Sequence, residues 1–239
     1  MKNILLEKFT PILLIITIAL AFGFGVLWQK VRNLESSGTE ATAGSTIQTQ
    51  PSANINIKDV DTKDEPFIGK ADAPVVVAYW TDYQCPFCKK FETNTLPTLI
   101  EKYVNTGKLK IVFKDFQFLG SDSQTAGLFE QAVWETSPES FLKWQEAMFT
   151  NQDAENGGWG SKDDIIALTK TISGIDTGEV LGLMESNKNE YQKELDDDKA
   201  EGGKFGISGT PGFVIGKQSI SGAQPLNVFT QIIDAELSK

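Results

Sequence analysis

Hydrophobic positions in this chain follow three regimes. From Phe9 to Trp28 they are nearly continuous, an uncharged stretch of about twenty residues that includes ILLIITIALAFGFGVLW. As a helix such a run is about 30 Å long, the thickness of a bilayer's hydrocarbon core. Trp28 stands at the interfacial position, with Lys30 and Arg32 beyond it. A cleaved signal peptide is the alternative, but an ordinary h-region has only about 7–15 residues. The small-x-small site Ala19-Leu20-Ala21 lies inside the apolar run, and Ala41-Thr42-Ala43 lies too far past it. The sequence therefore predicts one N-terminal transmembrane helix within a membrane anchor, residues 1–32. The flanking charges (Lys2, Glu7 and Lys8 against Lys30, Arg32 and Glu35) nearly balance, so they do not fix its orientation.

The second regime, residues 33–64, is rich in Ser, Thr, Gly, Ala and Gln and has no apolar periodicity. It reads as a flexible polar linker. The third, residues 65–239, alternates short β-branched runs with helical stripes. VVVAYW at 75–80 and LKIVF at 109–113 read as buried strands. Between them Phe91, Leu96, Leu99 and Tyr103 form one helical stripe, kinked at Pro97, and Gly107 closes the stretch. Strand, helix and strand make a βαβ unit. Four amphipathic helices are expected next, at 123–135, 139–150, 162–172 and 177–200. GFVI at 212–215 and residues 219–221 read as a hairpin around Gly216-Lys217, and residues 225–237 as a closing helix.

Composition narrows the function. The formal net charge of −10 and pI of 4.6 exclude the basic face that a nucleic-acid binder needs. Zero histidines exclude every Ser-His-Asp or Cys-His triad and every His-ligated metal site. The two cysteines, Cys85 and Cys88, cannot form a four-cysteine zinc site within the chain. No metal or organic cofactor is implied.

Those two cysteines are placed where a strand ends and a helix begins. On a helical first turn, a Cys-x-x-Cys spacing brings the sulfurs within bonding range, so the pair can cycle between dithiol and disulfide. Cys85 falls at the helix N-terminus, where unpaired N–H groups and the positive end of the macrodipole stabilise a thiolate. Pro86 suits the first helical position. Cys85 is the expected exposed nucleophile and Cys88, a turn deeper, the resolving thiol. A static disulfide closing so small a loop would constrain little of the unfolded chain.

Residues Ile68-Gly69-Lys70-Ala71-Asp72-Ala73-Pro74, the active-site approach Trp80-Thr81-Asp82-Tyr83-Gln84-Cys85-Pro86-Phe87-Cys88 and the stretch Glu92-Thr93-Asn94-Thr95-Leu96-Pro97 come in that order. They are followed by Phe141-Leu142-Lys143-Trp144, Met148-Phe149-Thr150-Asn151-Gln152 and Gly206-Ile207-Ser208-Gly209-Thr210-Pro211-Gly212-Phe213. Together they resemble the DsbA-like branch of the thioredoxin superfamily, over about residues 67–237. The resemblance implies an α/β thioredoxin fold with a helical insertion at about 119–200, and thiol–disulfide exchange. It also implies a cis peptide at Thr210–Pro211 facing the cysteines, where Thr210 offers its backbone to an extended substrate segment. Three departures bear on oxidant strength. Leu119-Gly120-Ser121-Asp122-Ser123 stands where many relatives have His-Pro, Phe87 where strong oxidants have histidine, and Thr210 where they often have valine.

Asp82 reads equally as a proton acceptor for Cys88 or as a polar loop residue. Asp122 and Ser123 read as helix caps, and Asp196-Asp197-Asp198 as a solvated helix face. Gly157-Gly158-Trp159-Gly160 reads as a loop with its aromatic tucked in, and Trp80, Trp134, Trp144 and Phe116 as core. The expected protein is a single-pass membrane enzyme with its catalytic domain on the extracytoplasmic side, where a redox disulfide persists. It would exchange disulfides with exported cysteine-containing proteins, and a membrane redox partner would recycle it. Pro86, Phe87, Thr210, Pro211 and Asp82 are expected to support Cys85 and Cys88. The alternatives are a reductase or isomerase of the same fold, a non-enzymatic anchored interaction domain and, more weakly, a copper-delivery module.

Overall fold

The structure is a computed structural model and describes residues 49–50 and 55–239. Its sheet contains β1 (Thr49–Gln50), β2 (Phe67–Ile68), β3 (Val75–Thr81), β4 (Leu109–Asp115), β5 (Gly212–Ile215) and β6 (Gln218–Ser221), in spatial order β1-β6-β5-β3-β4-β2. The β3 and β4 strands run parallel, Val75 opposite Leu109 and Thr81 opposite Asp115. All other pairs are antiparallel, including the β5–β6 hairpin expected around Gly216-Lys217.

The helices are α1 (Pro86–Asn94), α2 (Leu96–Leu99), α3 (Ser121–Thr136), α4 (Phe141–Asn151), α5 (Lys162–Thr169), α6 (Thr177–Ser186), α7 (Lys188–Lys204) and α8 (Leu226–Leu237). The α3 to α7 helices form the insertion between β4 and β5. The kink expected at Pro97 falls at Thr95, a single residue between α1 and α2, because the proline has no N–H for the carbonyl four residues back. The chain then continues from α2 into a wide turn at Ile100–Val104.

Period-2 alternation along β3 divides the core. Val75, Val77 and Tyr79 face the helical side, where Tyr79 packs 4.9 Å from Phe91 and stacks 4.8 Å from Phe213. Ala78 and Trp80 face the opposite side. There Trp80 Nε1 donates to the Asp198 carbonyl at 2.9 Å, and α7 closes in because Gly202 has no side chain. A Cβ at Gly202 would lie 2.9 Å from that same nitrogen.

Several expectations are corrected. The helix read at 177–200 is two helices that break at Asn187. Val180, Met184, Tyr191, Leu195 and Asp198 keep one continuous helical phase, so the apolar pattern carries no mark of the break. Packing also begins before the linker's expected end at residue 64. Ile55 and Val60 are buried against the outer face of the sheet, and Ile57 N–H donates to the Gly216 carbonyl at 2.7 Å. Three apolar residues in an otherwise polar stretch are too few to show periodicity. The membrane run at 9–28, and the linker apart from residues 49–50 and 55–64, lie outside the described residues. Among the described residues, no helix is long and apolar enough to cross a membrane.

The acidic cluster is not a solvated face. Asp196 and Asp197 are exposed, but Asp198 is buried and pairs with Lys114 of β4. Lys114 Nζ also pairs with Glu65, and with Glu201 at 3.3 Å. Asp198 in addition accepts the Asp115 N–H at 2.7 Å. Burial pushes Asp198 up to about 6, opposed by the Lys114 ammonium. Burial alone would lower Lys114, but the Asp198 and Glu65 carboxylates hold it above its ordinary value. Trp80, Trp144 and Phe116 are core as expected, Trp134 is only partly buried, and Trp159 packs partly buried against the core.

Candidate active site

Cys85 caps α1 in an extended conformation, with Pro86 in the first turn. Its N–H donates to the Asp82 carbonyl at 3.0 Å, and its carbonyl accepts from Lys89 N–H at 3.1 Å. The helix start is latched from the insertion. Gln152, at the end of α4, donates its side-chain amide to the carbonyls of Tyr83 at 2.6 Å and Cys85 at 3.1 Å. The Lys89 ammonium donates in turn to the Gln152 carbonyl. In the sequence Gln152 is only the last residue of the stretch Met148–Gln152; an amide at a helix end carries no signal of which carbonyl it will meet.

Both cysteines are free thiols. Cys85 is only 4% exposed and Cys88 fully buried, so the expected exposed nucleophile is a narrow opening rather than a projecting thiol. Beside it Pro86 is exposed and Phe87 is 61% exposed. From the other side comes the loop before β5, where Thr210–Pro211 is cis, as the resemblance implied. The Cys85 sulfur donates to the Thr210 carbonyl at 3.4 Å, and Pro211 is buried.

The two thiols differ electrostatically. Cys85 is lowered to about 6, first by the Cys88 thiol pointing at it, against the opposing effect of burial. The Thr210 side chain and the N–H groups of Cys88 and Phe87 at the helix start add to the lowering. Cys88 is pushed well above its ordinary value, first by burial and then by Cys85.

Asp82 does not turn its carboxylate to Cys88. It accepts from Gln84 N–H at 2.9 Å, Phe118 N–H at 3.0 Å, Leu119 N–H at 3.3 Å and the Ser123 hydroxyl at 2.6 Å. It ties the loop before Cys85 to the loop before α3, and of its two sequence readings the geometry fits the loop residue. Ser123 is thus a donor to Asp82 rather than a cap. Gly120, at φ 105°, precedes the helix instead, a backbone angle that glycine adopts without strain.

The chain matches the family described as Thioredoxin over residues 61–235. It belongs to the thioredoxin family. Disulfide bond formation protein D of Bacillus subtilis (strain 168) is 28% identical over 175 residues, covering 73% of this chain and 78% of that protein. The crystal structure of oxidised BdbD from Bacillus subtilis superposes with a TM-score of 0.69 at 26% identity, covering 75% of this chain and 96% of that one. The thiol-disulfide exchange protein alpha-DsbA2 from Wolbachia pipientis gives 0.63 at 26% identity, over 72% of this chain and 86% of that one. Within the thioredoxin family this is a DsbA-like thiol–disulfide oxidoreductase with a helical insertion.

Proposed function

We propose that this oxidoreductase is held on the outer side of the cytoplasmic membrane by its N-terminal apolar run. There it exchanges disulfides with cysteine-containing exported proteins through Cys85 and Cys88. The observation that carries the reading is the asymmetry of the pair: Cys85 sits at the start of α1 opening toward Thr210, and Cys88 is sealed behind it. A substrate thiolate attacks the Cys85 sulfur, or Cys85 attacks a substrate disulfide, and Cys88 resolves the mixed disulfide. Phe87, Thr210 and Pro211 frame the approach, and Pro86 sets the helix start. Exchange of this kind requires no metal or organic cofactor, and a membrane redox partner restores the starting state.

Two features support the placement outside the membrane. The apolar run at 9–28 is long enough to span a bilayer, and redox-active disulfides persist in oxidising compartments. Cys88→Ala tests the chemistry: stable mixed disulfides at Cys85 are expected on non-reducing gels, and their absence overturns the reading. Labelling of intact cells with an impermeant maleimide after mild reduction tests the orientation. Protection of Cys85 would reverse it, and a mature chain beginning after residue 28 would replace the anchor with a cleaved leader.

A further inference from the structure

Two helix ends meet beside the nucleophile. Cys85 is the N-cap of α1, and Gln152 is the C-cap of α4. A helix C-terminus carries the negative end of its dipole and leaves its last carbonyls without donors from within the helix. That is an unfavourable neighbour for a thiolate, and two side chains offset it. Gln152, only 3% exposed, uses its amide nitrogen on two carbonyls of the active-site approach, Tyr83 at 2.6 Å and Cys85 at 3.1 Å. Turned the other way, its oxygen would face those two oxygens, so the amide is fixed as a donor. Gln152 Oε1 is buried and, among the described residues, has no hydrogen-bond partner. The side chain thus makes its two donor bonds at the expense of an unpaired buried acceptor. Lys89 lies one turn along α1 from Cys85, and its backbone N–H donates to the Cys85 carbonyl at 3.1 Å. Its ammonium reaches across to the end of α4, donating to the Gln152 carbonyl and, at 3.5 Å, to the Thr150 carbonyl. A cation on the last carbonyls of a helix counters the negative end of the dipole.

We infer that Gln152 and Lys89 are positioning residues for the Cys85 thiolate, through which the helical insertion sets how readily Cys85 ionises and how strongly the disulfide oxidises. Both act through the Cys85 carbonyl and the end of α4 rather than on the sulfur itself. The inference rests on the exchange chemistry proposed above. In exchange with oxidised glutathione, the Cys85 thiolate bonds to one glutathione sulfur, the glutathione disulfide breaks, and the other half leaves as a thiolate. Cys88 then gives its proton to solvent, bonds to the Cys85 sulfur and expels the second glutathione as a thiolate. The protein has lost two electrons, and the charge at Cys85 has disappeared. Groups that favour that charge therefore favour the reduced pair alone, and so make the disulfide the stronger oxidant.

The other charged and titratable groups on the elements around Cys85 are engaged elsewhere or turned outward. On α1, Cys88 is the resolving thiol, Lys90 is exposed, and Glu92 accepts from the Gln145 amide at 2.9 Å. The Asp82 carboxylate of the approach loop is taken by the N–H groups of Gln84, Phe118 and Leu119 and by the Ser123 hydroxyl. Asp153, just past α4, is exposed, and its carboxylate accepts from the Trp159 N–H at 3.2 Å. Residues 206–211 of the loop before β5 carry no ionisable side chain. Lys89 is thus the cation that the packing brings to the junction of the two helix ends.

The test uses the reduced full chain and two readouts, the pH profile of Cys85 alkylation by iodoacetamide and the equilibrium with glutathione at about pH 8. Lys89→Met keeps the stem and removes the charge. It should lower the Cys85 acid dissociation constant about two- to fivefold, the usual effect of one charge at a helix end. Gln152→Met fills the same volume without donors and should lower that constant by about threefold or more, because two carbonyls beside the thiolate lose their partners. The glutathione equilibrium should move toward the protein disulfide by about the same factor in each variant, since about pH 8 lies above the titration. Lys89→Arg keeps a cation on the α4 carbonyls and should stay within about 1.5-fold of wild type in both readouts. A defect in Lys89→Arg as large as in Lys89→Met would make the effect one of packing and overturn the inference. If Gln152→Met fails to fold, the two variants at the half-buried Lys89 decide the matter. Folded variants with the wild-type titration and equilibrium overturn the role of the insertion and leave the exchange chemistry standing. A wild-type protein that exchanges nothing with glutathione at Cys85 overturns the exchange chemistry itself.

Discussion

The Cys85 sulfur lies 3.4 Å from the Thr210 carbonyl, a contact across 125 residues that joins the start of α1 to the loop before β5. As a thiol, Cys85 donates to that oxygen. As a thiolate it cannot, and the N–H groups of Phe87 and Cys88 become its partners instead. The same carbonyl is then free to accept an N–H from an extended substrate strand. Ionisation of Cys85 thus opens both the sulfur and the backbone acceptor beside it.

The titration of Cys85 follows. With a value of about 6, it should be mostly thiolate at neutral pH. Thiolate absorbance of the reduced protein should rise near that pH and vanish in Cys85→Ser, while Cys88 stays protonated. The stability consequence has a definite sign. The folded value is depressed, so the ionised thiolate's contribution is complete above the unfolded value of about 8.5 and is lost as pH falls through about 6. Reduced wild type should therefore gain stability over reduced Cys85→Ser as pH rises from about 6 to 8.5. A constant difference would show that Cys85 is not the stabilised thiolate.

Asp82 holds three loop N–H donors and the Ser123 hydroxyl of α3, and its removal strands them. Asp82→Ala should destabilise the fold by about 2–4 kcal/mol, measured by denaturant unfolding, because buried N–H groups without partners cost about 1–3 kcal/mol each and some regain water. The Cys85 titration should hardly move, since the carboxylate is turned to the loops. A large shift in that titration with stability intact would restore the proton-acceptor role that the sequence left open for Asp82.

What was legible in the sequence was whatever period or local chemistry records. The β3 and β4 strands, the CPFC helix start and the closing α8 each carry their own pattern within a few residues. The break at Asn187 was hidden because the apolar phase runs through it. The burial of Asp198 was hidden for a different reason. Its partner Lys114 is 84 positions away in the chain, and three consecutive aspartates look alike until the fold turns one inward. The burial of Glu92, which accepts from the Gln145 amide at 2.9 Å, was equally silent, since a glutamate on a helix is ordinary locally.

Lys114 offers a test of that hidden cluster. Lys114→Met leaves Glu65, Asp198 and Glu201 facing one another without a cation. The expected loss is about 3–5 kcal/mol at neutral pH, as for other broken buried pairs. Asp198 is already raised to about 6. Without the ammonium it should rise further, so the stability lost on moving up through that range should be larger in the variant. Unfolding at about pH 5 and pH 7.5 should show the defect shrinking in acid as the carboxylates neutralise. An equal defect at both values would mean the loss is one of packing, not charge.

Phe87 separates oxidant strength from fold. It is 61% exposed, so Phe87→His should leave unfolding within about 0.5 kcal/mol of wild type. An imidazole at this position adds a hydrogen-bond donor, or a positive charge below about pH 6.5, next to the Cys85 thiolate, which a phenyl ring cannot do. Whatever favours the thiolate favours the reduced state at neutral pH, and so makes the disulfide the stronger oxidant. One unit of further lowering at Cys85 corresponds to about 1.4 kcal/mol, or about 30 mV for the two-electron couple. The histidine variant should therefore titrate lower and equilibrate with glutathione at a potential about 30 mV or more above wild type. The wild-type value itself sets the direction of exchange: one near about −270 mV marks a reductase and one near about −120 mV an oxidase. If Phe87→His lowers the thiol titration without raising the potential, the disulfide form is being stabilised equally. The residue between the cysteines would then not be what sets the redox poise of this pair.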